Sequence, residues 1–170
     1  IARALAFPSP LLLMDEPFGA VDPLTRDRLH AEFRKIQDAL QKTVLFVTHD
    51  MDEAVRLGDR IVVMRDGGLV QQDTPERVLA YPVDGFVASF VGAERALKRL
   101  SLAPVTEALY TPETSSPEEP AVASTASLRE ALAVILEAGV PSIPVHDEGG
   151  AVVGAVSVES IVERFRRPLT

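Results

Sequence analysis

An α/β fold is predicted, a parallel sheet with crossover helices followed by a smaller α+β unit, and three observations predict it. The aliphatic run Leu11-Leu12-Leu13-Met14 stops at Asp15-Glu16-Pro17. A second run, Val44-Leu45-Phe46-Val47, delivers Thr48-His49-Asp50. Between them lies the apolar period of an amphipathic helix. Runs this short and apolar suit strands covered on both faces of a parallel sheet better than they suit helices. Joined by a crossover, the two strands lie parallel and deliver Glu16 and His49 to one edge.

The carboxyl edge of such a sheet is where ligands bind, and there a strand-end Asp can hold Mg²⁺ while a neighbouring Glu orients a water. The turn Pro17-Phe18-Gly19-Ala20-Val21-Asp22-Pro23 places a third carboxylate beside that edge. The helix after it spans Leu24 to Gln41, with Leu29, Phe33, Ile36 and Leu40 on the apolar face. Its charges, Arg26 among them, are expected in solvent. Asp50 to Leu57 reads as a short helix with acidic residues in its first turn, where the macrodipole favours them, ended by Gly58.

Ile61–Met64 and Leu69–Gln72 flank an Asp66-Gly67 turn and predict a hairpin. Thr74 caps the next helix and Pro75 takes its first position. Tyr110 to Pro120 is rich in Pro, Ser, Thr and Glu and reads as a mobile loop. Beyond it, Ser127-Leu128-Arg129-Glu130 is a capping box. It opens a helix with Leu128, Ala131, Leu132, Ile135 and Leu136 on one face and Gly139 at its end. Ile143–His146 and Ala151–Val156 read as strands around an Asp147–Gly150 turn, and Ser157 caps the last helix. Pro144 within a strand points to an edge position. The domains so drawn are 1–100 and 101–170.

With 170 residues, 46% of them hydrophobic and 25% charged, the chain fits one or two globular domains. No apolar run approaches the ~20 residues of a spanning helix, so a membrane role would come through a partner. The absence of cysteine suits a reducing cytosol. A net charge of -8 argues against nucleic acid as a partner. Ile1-Ala2-Arg3-Ala4-Leu5-Ala6 reads as the end of a helix already running, and so as part of a longer chain.

In order and spacing, Leu11–Glu16, Pro17–Pro23 and Val44–Asp50 resemble the Walker B motif, D-loop and switch histidine of ATP-binding-cassette (ABC) transporter ATPases. The resemblance covers about the first ninety residues. It continues through the Asp-Gly, Thr-Pro-Glu, Pro82, Phe86-Val87 and Phe90-Val91-Gly92 progression that closes many importer ATPases. It implies the C-terminal part of a P-loop NTPase-type sheet. In that family residues 1–6 would follow the Leu-Ser-Gly-Gly-Gln signature. The phosphate loop G-x-x-x-x-G-K-[ST] occurs nowhere in these residues, so the chain by itself is expected to be inactive and to bind ATP weakly.

The resemblance assigns Asp15 to the Mg²⁺ shell, Glu16 to polarising the attacking water and His49 to the terminal phosphate. It assigns Asp22 to communication across a dimer of ATPase subunits. Ser127–Ala131, Ile143–Val145 and Gly154–Ser157 resemble a single cystathionine-β-synthase (CBS) repeat. An ABC ATPase with such a unit resembles the subunit of glycine betaine, proline, carnitine or choline importers, and Glu16–Arg26 looks like that group. The implied partners are a second ATPase subunit, transmembrane permease subunits and, indirectly, a solute-binding protein, at the cytoplasmic face of the membrane. ATP and Mg²⁺ are the implied cofactors. The alternatives are an importer of another small solute and a soluble, non-transport ABC ATPase.

Adenosine-binding CBS repeats commonly carry Ser/Thr-x-x-Asp at the start of the last helix. Here Ser157-Val158-Glu159-Ser160 lacks the Asp, which predicts weak or no adenine-nucleotide binding. Arg164-Phe165-Arg166-Arg167 reads either as ordinary helix-end cations or as a salt-sensitive contact to anionic lipid.

Overall fold

The computed structural model describes residues 9–40, 42–111 and 120–169. The helix end expected at 1–6 and most of the expected loop, 112–119, lie outside the described residues. The chain divides into two compact units, Ile1–Gly92 and Ala93–Thr170.

In the first unit β1 (Leu11–Asp15) and β2 (Thr43–Val47) pair in parallel, with Leu11 opposite Thr43 and Asp15 opposite Val47. Parallel neighbours need a crossover, and the helix α1 (Pro23–Leu40) supplies it. Two bonds extend the ladder: Thr43 N–H donates to the Pro10 carbonyl at 3.0 Å, and Glu16 N–H donates to the Val47 carbonyl at 2.8 Å. Leu12, Met14, Val44 and Phe46 share the face that packs on Leu29 and Phe33, with Phe18 and Leu57 completing the cluster.

The opposite face carries Leu11, Leu13, Leu45 and Val47, all exposed, Leu13 at 66%. Covering on both faces, expected from the aliphatic runs, is therefore not what this chain has. Burial alternates along β1, since α1 lies on one side and among the described residues no element covers the other. Ile36, placed by its period on the apolar face of α1, is exposed as well. The side chain of Leu40 lies outside the description.

The helix α2 (Met51–Leu57) starts where the Asp50 carboxylate accepts from the backbone N–H groups of Asp52 and Glu53. It stops at Gly58, where a Cβ would stand 2.8 Å from the Ala54 carbonyl. The hairpin of β3 (Ile61–Arg65) and β4 (Gly68–Asp73) turns through Asp66 and Gly67 at φ 51° and 77°. Two positive φ values in succession match the right-handed twist of the strands, which is why Asp-Gly stands there. The helix α3 (Pro75–Ala80) is capped by Thr74 and packs on β4 and on α4 (Gly85–Val91). Val78, Leu79, Val87 and Val91 are fully buried there.

The second unit begins with α5 (Arg95–Leu102) and a 3₁₀ turn at Val105–Ala108. The sheet β5 (Val122–Ala123), β6 (Ser142–His146) and β7 (Val152–Ser157) follows, with α6 (Leu128–Ala138) and α7 (Val158–Arg166). The units divide at Gly92 and not near residue 100, because Leu100 and Ala103 enter the cluster of Leu128, Ile135, Val145 and Ile161. On α6, Leu128, Ala131 and Ile135 are buried, but Leu136 is exposed.

Strand order is β5-β6-β7, so Pro144 sits on the middle strand and not on the edge its ring suggested. The backbone N–H and carbonyl of Ala155, its partner on β7, both bond Tyr110. Pro144 and Ala155 are thus a non-hydrogen-bonded pair, and the missing donor faces the β5 side. The two residues of β5 reach only Val145 and His146. Locally, Pro144 is at an edge after all.

Candidate active site

Glu16 follows the last residue of β1 with φ 42°, in the left-handed region that non-glycine residues seldom occupy. Such a conformation costs on the order of 1–3 kcal/mol and is concentrated at functional positions. The bond from Glu16 N–H to Val47 holds it in place, and Gly19 N–H closes the turn on the Glu16 carbonyl at 3.2 Å. His49 follows β2 by two residues. Its Nδ1 lies 2.9 Å from Glu16 Oε1. A carboxylate only accepts, so Nδ1 donates and Nε2 is left for a second partner.

Asp15 shares the exposed face of β1 with Leu11 and Leu13, one residue from Glu16. Asp22 is exposed at the start of α1, where its Oδ1 accepts from Thr25 N–H at 3.0 Å. The parallel register thus brings Asp15, Glu16 and His49 to one sheet edge, while Asp22 caps a helix at the far end of the turn. Phe18 anchors that turn. It is 1% exposed and meets His30 edge-on at 4.8 Å between ring centroids, with Phe33 and Phe46 at 6.0 and 5.9 Å.

A polar cluster under the edge escapes the sequence reading. Glu53, read from the sequence only as one of the acidic residues in the first turn of its helix, is 3% exposed, and His30 is buried beside it. Thr48 Oγ1 donates to Glu53 Oε2 at 2.7 Å. Glu53 Oε1 lies 3.5 Å from His30 Nε2 and 3.9 Å from Arg26 Nε. Arg26, expected in solvent, donates to the Val21 carbonyl at 3.0 Å and to Asp50 Oδ2 at 3.5 Å. The one trace in the sequence is the four-residue spacing of Arg26 and His30, which puts them on one helix face.

Asp15 and Glu16 offer exposed hard oxygens. Among the described residues no group of three or more His, Cys, Asp and Glu side chains could enclose a metal ion. That donor set fits Mg²⁺, which keeps several waters and binds through one or two carboxylates with substrate phosphates.

In the second unit Ser157 and Ser160 cap α7 reciprocally: Ser157 N–H donates to Ser160 Oγ at 3.0 Å, and Ser160 N–H to Ser157 Oγ at 3.1 Å. Arg164 pairs with Glu107 and Arg167 with Glu163, so two of the three terminal arginines are engaged internally. No helix among the described residues is long and apolar enough to cross a membrane.

The Glu16–His49 pair at the strand edge and the capped turn beside it stand in a chain that is similar, over nearly its whole length, to ATP-binding subunits of ABC transporters. The CBS domain family matches residues 114–167. The similar proteins include several named for osmoprotectant transport. It is 44% identical over 95% of its length to the carnitine transport ATP-binding protein OpuCA of Listeria monocytogenes, covering 39% of that protein. It is 44% identical over 98% of its length to the glycine betaine/carnitine/choline transport ATP-binding protein OpuCA of Bacillus subtilis, covering 43% of it. The osmoprotectant import ATP-binding protein OsmV of Salmonella typhimurium is 42% identical over 92% of this chain, which covers 40% of that relative. The chain thus spans about two fifths of the length of these relatives.

Proposed function

We propose that this chain is part of the ATP-hydrolysing subunit of an ABC importer for a quaternary-amine or proline-type osmoprotectant. The observation that carries the reading is the Glu16–His49 pair at the carboxyl edge of a parallel strand pair. Glu16, locked by its backbone, orients and polarises the attacking water. His49 offers its remaining ring nitrogen to the terminal phosphate. Asp15 holds the metal shell from the same strand end, and Asp22 carries contact to a second copy of the subunit. Bound Mg²⁺ supplies charge neutralisation on the phosphate oxygens. Phosphoryl transfer asks little more of a protein than positioning and electrostatics.

The exposed row Leu11, Leu13, Leu45 and Val47 supports a larger sheet domain. Apolar surface of that kind is covered by the remainder of a full-length subunit that also brings the phosphate loop. The subunit works as a homodimer at the cytoplasmic face of the membrane, bound peripherally to permease subunits and served by a solute-binding protein. By the same reasoning the 170-residue chain alone neither binds ATP tightly nor hydrolyses it, and micromolar affinity in calorimetry would contradict this.

The test is uptake by the full-length subunit reconstituted with its permease, with labelled glycine betaine, carnitine, choline and proline. ATP-dependent uptake of at least one is expected. ATP turnover stimulated by none of the four overturns the substrate class.

A further inference from the structure

We propose that Glu53 is a positioning residue for His49, acting through the Thr48 hydroxyl, and that Arg26 ties the same carboxylate to the turn ending at Asp22. The proposal rests on the reading of Glu16 and His49 given above and adds to it the group that holds the histidine loop.

A carboxylate as buried as Glu53 is stable only with partners, because taking the charge from water costs several kcal/mol. Its Oε2 accepts from Thr48 Oγ1 at 2.7 Å, within the range of a charge-assisted bond. Thr48 Oγ1 in turn accepts from Asp50 N–H at 3.0 Å, and because a carboxylate only accepts, the hydroxyl proton is directed to Glu53. The residue before His49 and the residue after it are therefore held by one hydroxyl. The His49 side chain itself is 75% exposed and gains little from packing, so its backbone bracket decides where the ring stands.

The other oxygen faces the crossover helix. Glu53 Oε1 meets Arg26 Nε at 3.9 Å and His30 Nε2 at 3.5 Å. Arg26 also holds the Val21 carbonyl, immediately before Asp22, and Asp50 Oδ2. One buried carboxylate thus bears on both loops of the site. An ion pair serving only to fasten α1 to α2 would need no hydroxyl from the residue beside His49.

The experiment measures kcat and KM for ATP in the full-length subunit for Thr48→Val, Thr48→Ser, His49→Ala and the double variant Thr48→Val/His49→Ala. Thr48→Val is expected to lower kcat per folded molecule roughly 10–100-fold, the scale of a small misplacement, with KM close to wild type and a melting temperature lowered by the unpairing of Glu53. Thr48→Ser keeps the hydroxyl and restores kcat. The double variant turns over at the rate of His49→Ala alone, because the hydroxyl acts through the ring. Wild-type kcat in Thr48→Val, or equal losses in the Ser and Val variants, overturns the proposal. Losses that multiply in the double variant, with His49→Ala itself slow, overturn the positioning role and leave the active-site reading standing. Wild-type turnover in His49→Ala overturns both.

Discussion

Glu16 and His49 meet at 2.9 Å although 33 residues separate them, because a parallel register with Asp15 opposite Val47 ends both strands at one level. The histidine loop is therefore set by the same ladder that sets the carboxylate. Glu16→Gln is expected to leave ATP binding in the full-length subunit largely intact and to slow hydrolysis roughly 10²–10⁴-fold. His49→Ala should do likewise through a lost phosphate contact. The two changes combined should cost less than the product of the two, as expected for side chains in contact. Turnover at the wild-type rate in either single variant would remove that residue from the proposed chemistry.

The placement of this pair was legible because it depends only on strand identity and direction, and both runs are short and apolar with turn residues after them. The caps at Thr74, Ser127 and Ser157 and the Asp66-Gly67 turn were legible for a similar reason, since each is decided within four residues. What the sequence hid is non-local. Glu53 sits in a first helical turn where an acidic residue is ordinarily solvated, and only the approach of α1 with Arg26 and His30 buries it. The edge position of Pro144 is non-local too, because it depends on how far β5 reaches along the middle strand.

The capping box of α6 gives the second unit a pH dependence. Glu130 accepts from Ser127 N–H at 2.7 Å and from Ser127 Oγ at 2.9 Å. The backbone bond first and the hydroxyl second hold its carboxyl below the usual glutamate value. Lowered in the folded state, this group contributes stability that is present above the unfolded value of about 4.3. That stability is lost as the pH falls through the folded value. Glu130→Gln should flatten this part of the acid limb of the melting curve, while Ser127→Ala should cost about 1 kcal/mol at neutral pH. An acid limb identical in Glu130→Gln and wild type would contradict the assignment.

Adenine nucleotides are expected not to bind at the start of α7. Ser160 stands where an Asp would accept from ribose hydroxyls, and its Oγ is already occupied, accepting from Ser157 N–H and donating to the Ser157 carbonyl at 3.1 Å. Calorimetry of the full-length subunit would detect only binding that survives truncation after Gly92. A micromolar site for AMP that vanished on that truncation would refute this.

That truncation also tests what the second unit is for. α7 exposes Val158 and Val162 along one side, an apolar stripe suited to pairing with the same unit of a second subunit. Engagement of Arg164 by Glu107 and Arg167 by Glu163 leaves less cationic charge for a lipid surface than the sequence suggested. A response to ionic strength would therefore act through pairing as well as through lipid. Cutting after Gly92 keeps α5 with the cluster it belongs to, whereas cutting near residue 100 would divide that cluster and confuse misfolding with regulation. Uptake by the truncated subunit, reconstituted with its permease and measured against salt, should reach the wild-type maximum with a shifted or absent salt threshold. A threshold unchanged by removal of the whole unit would mean that it senses nothing in this range.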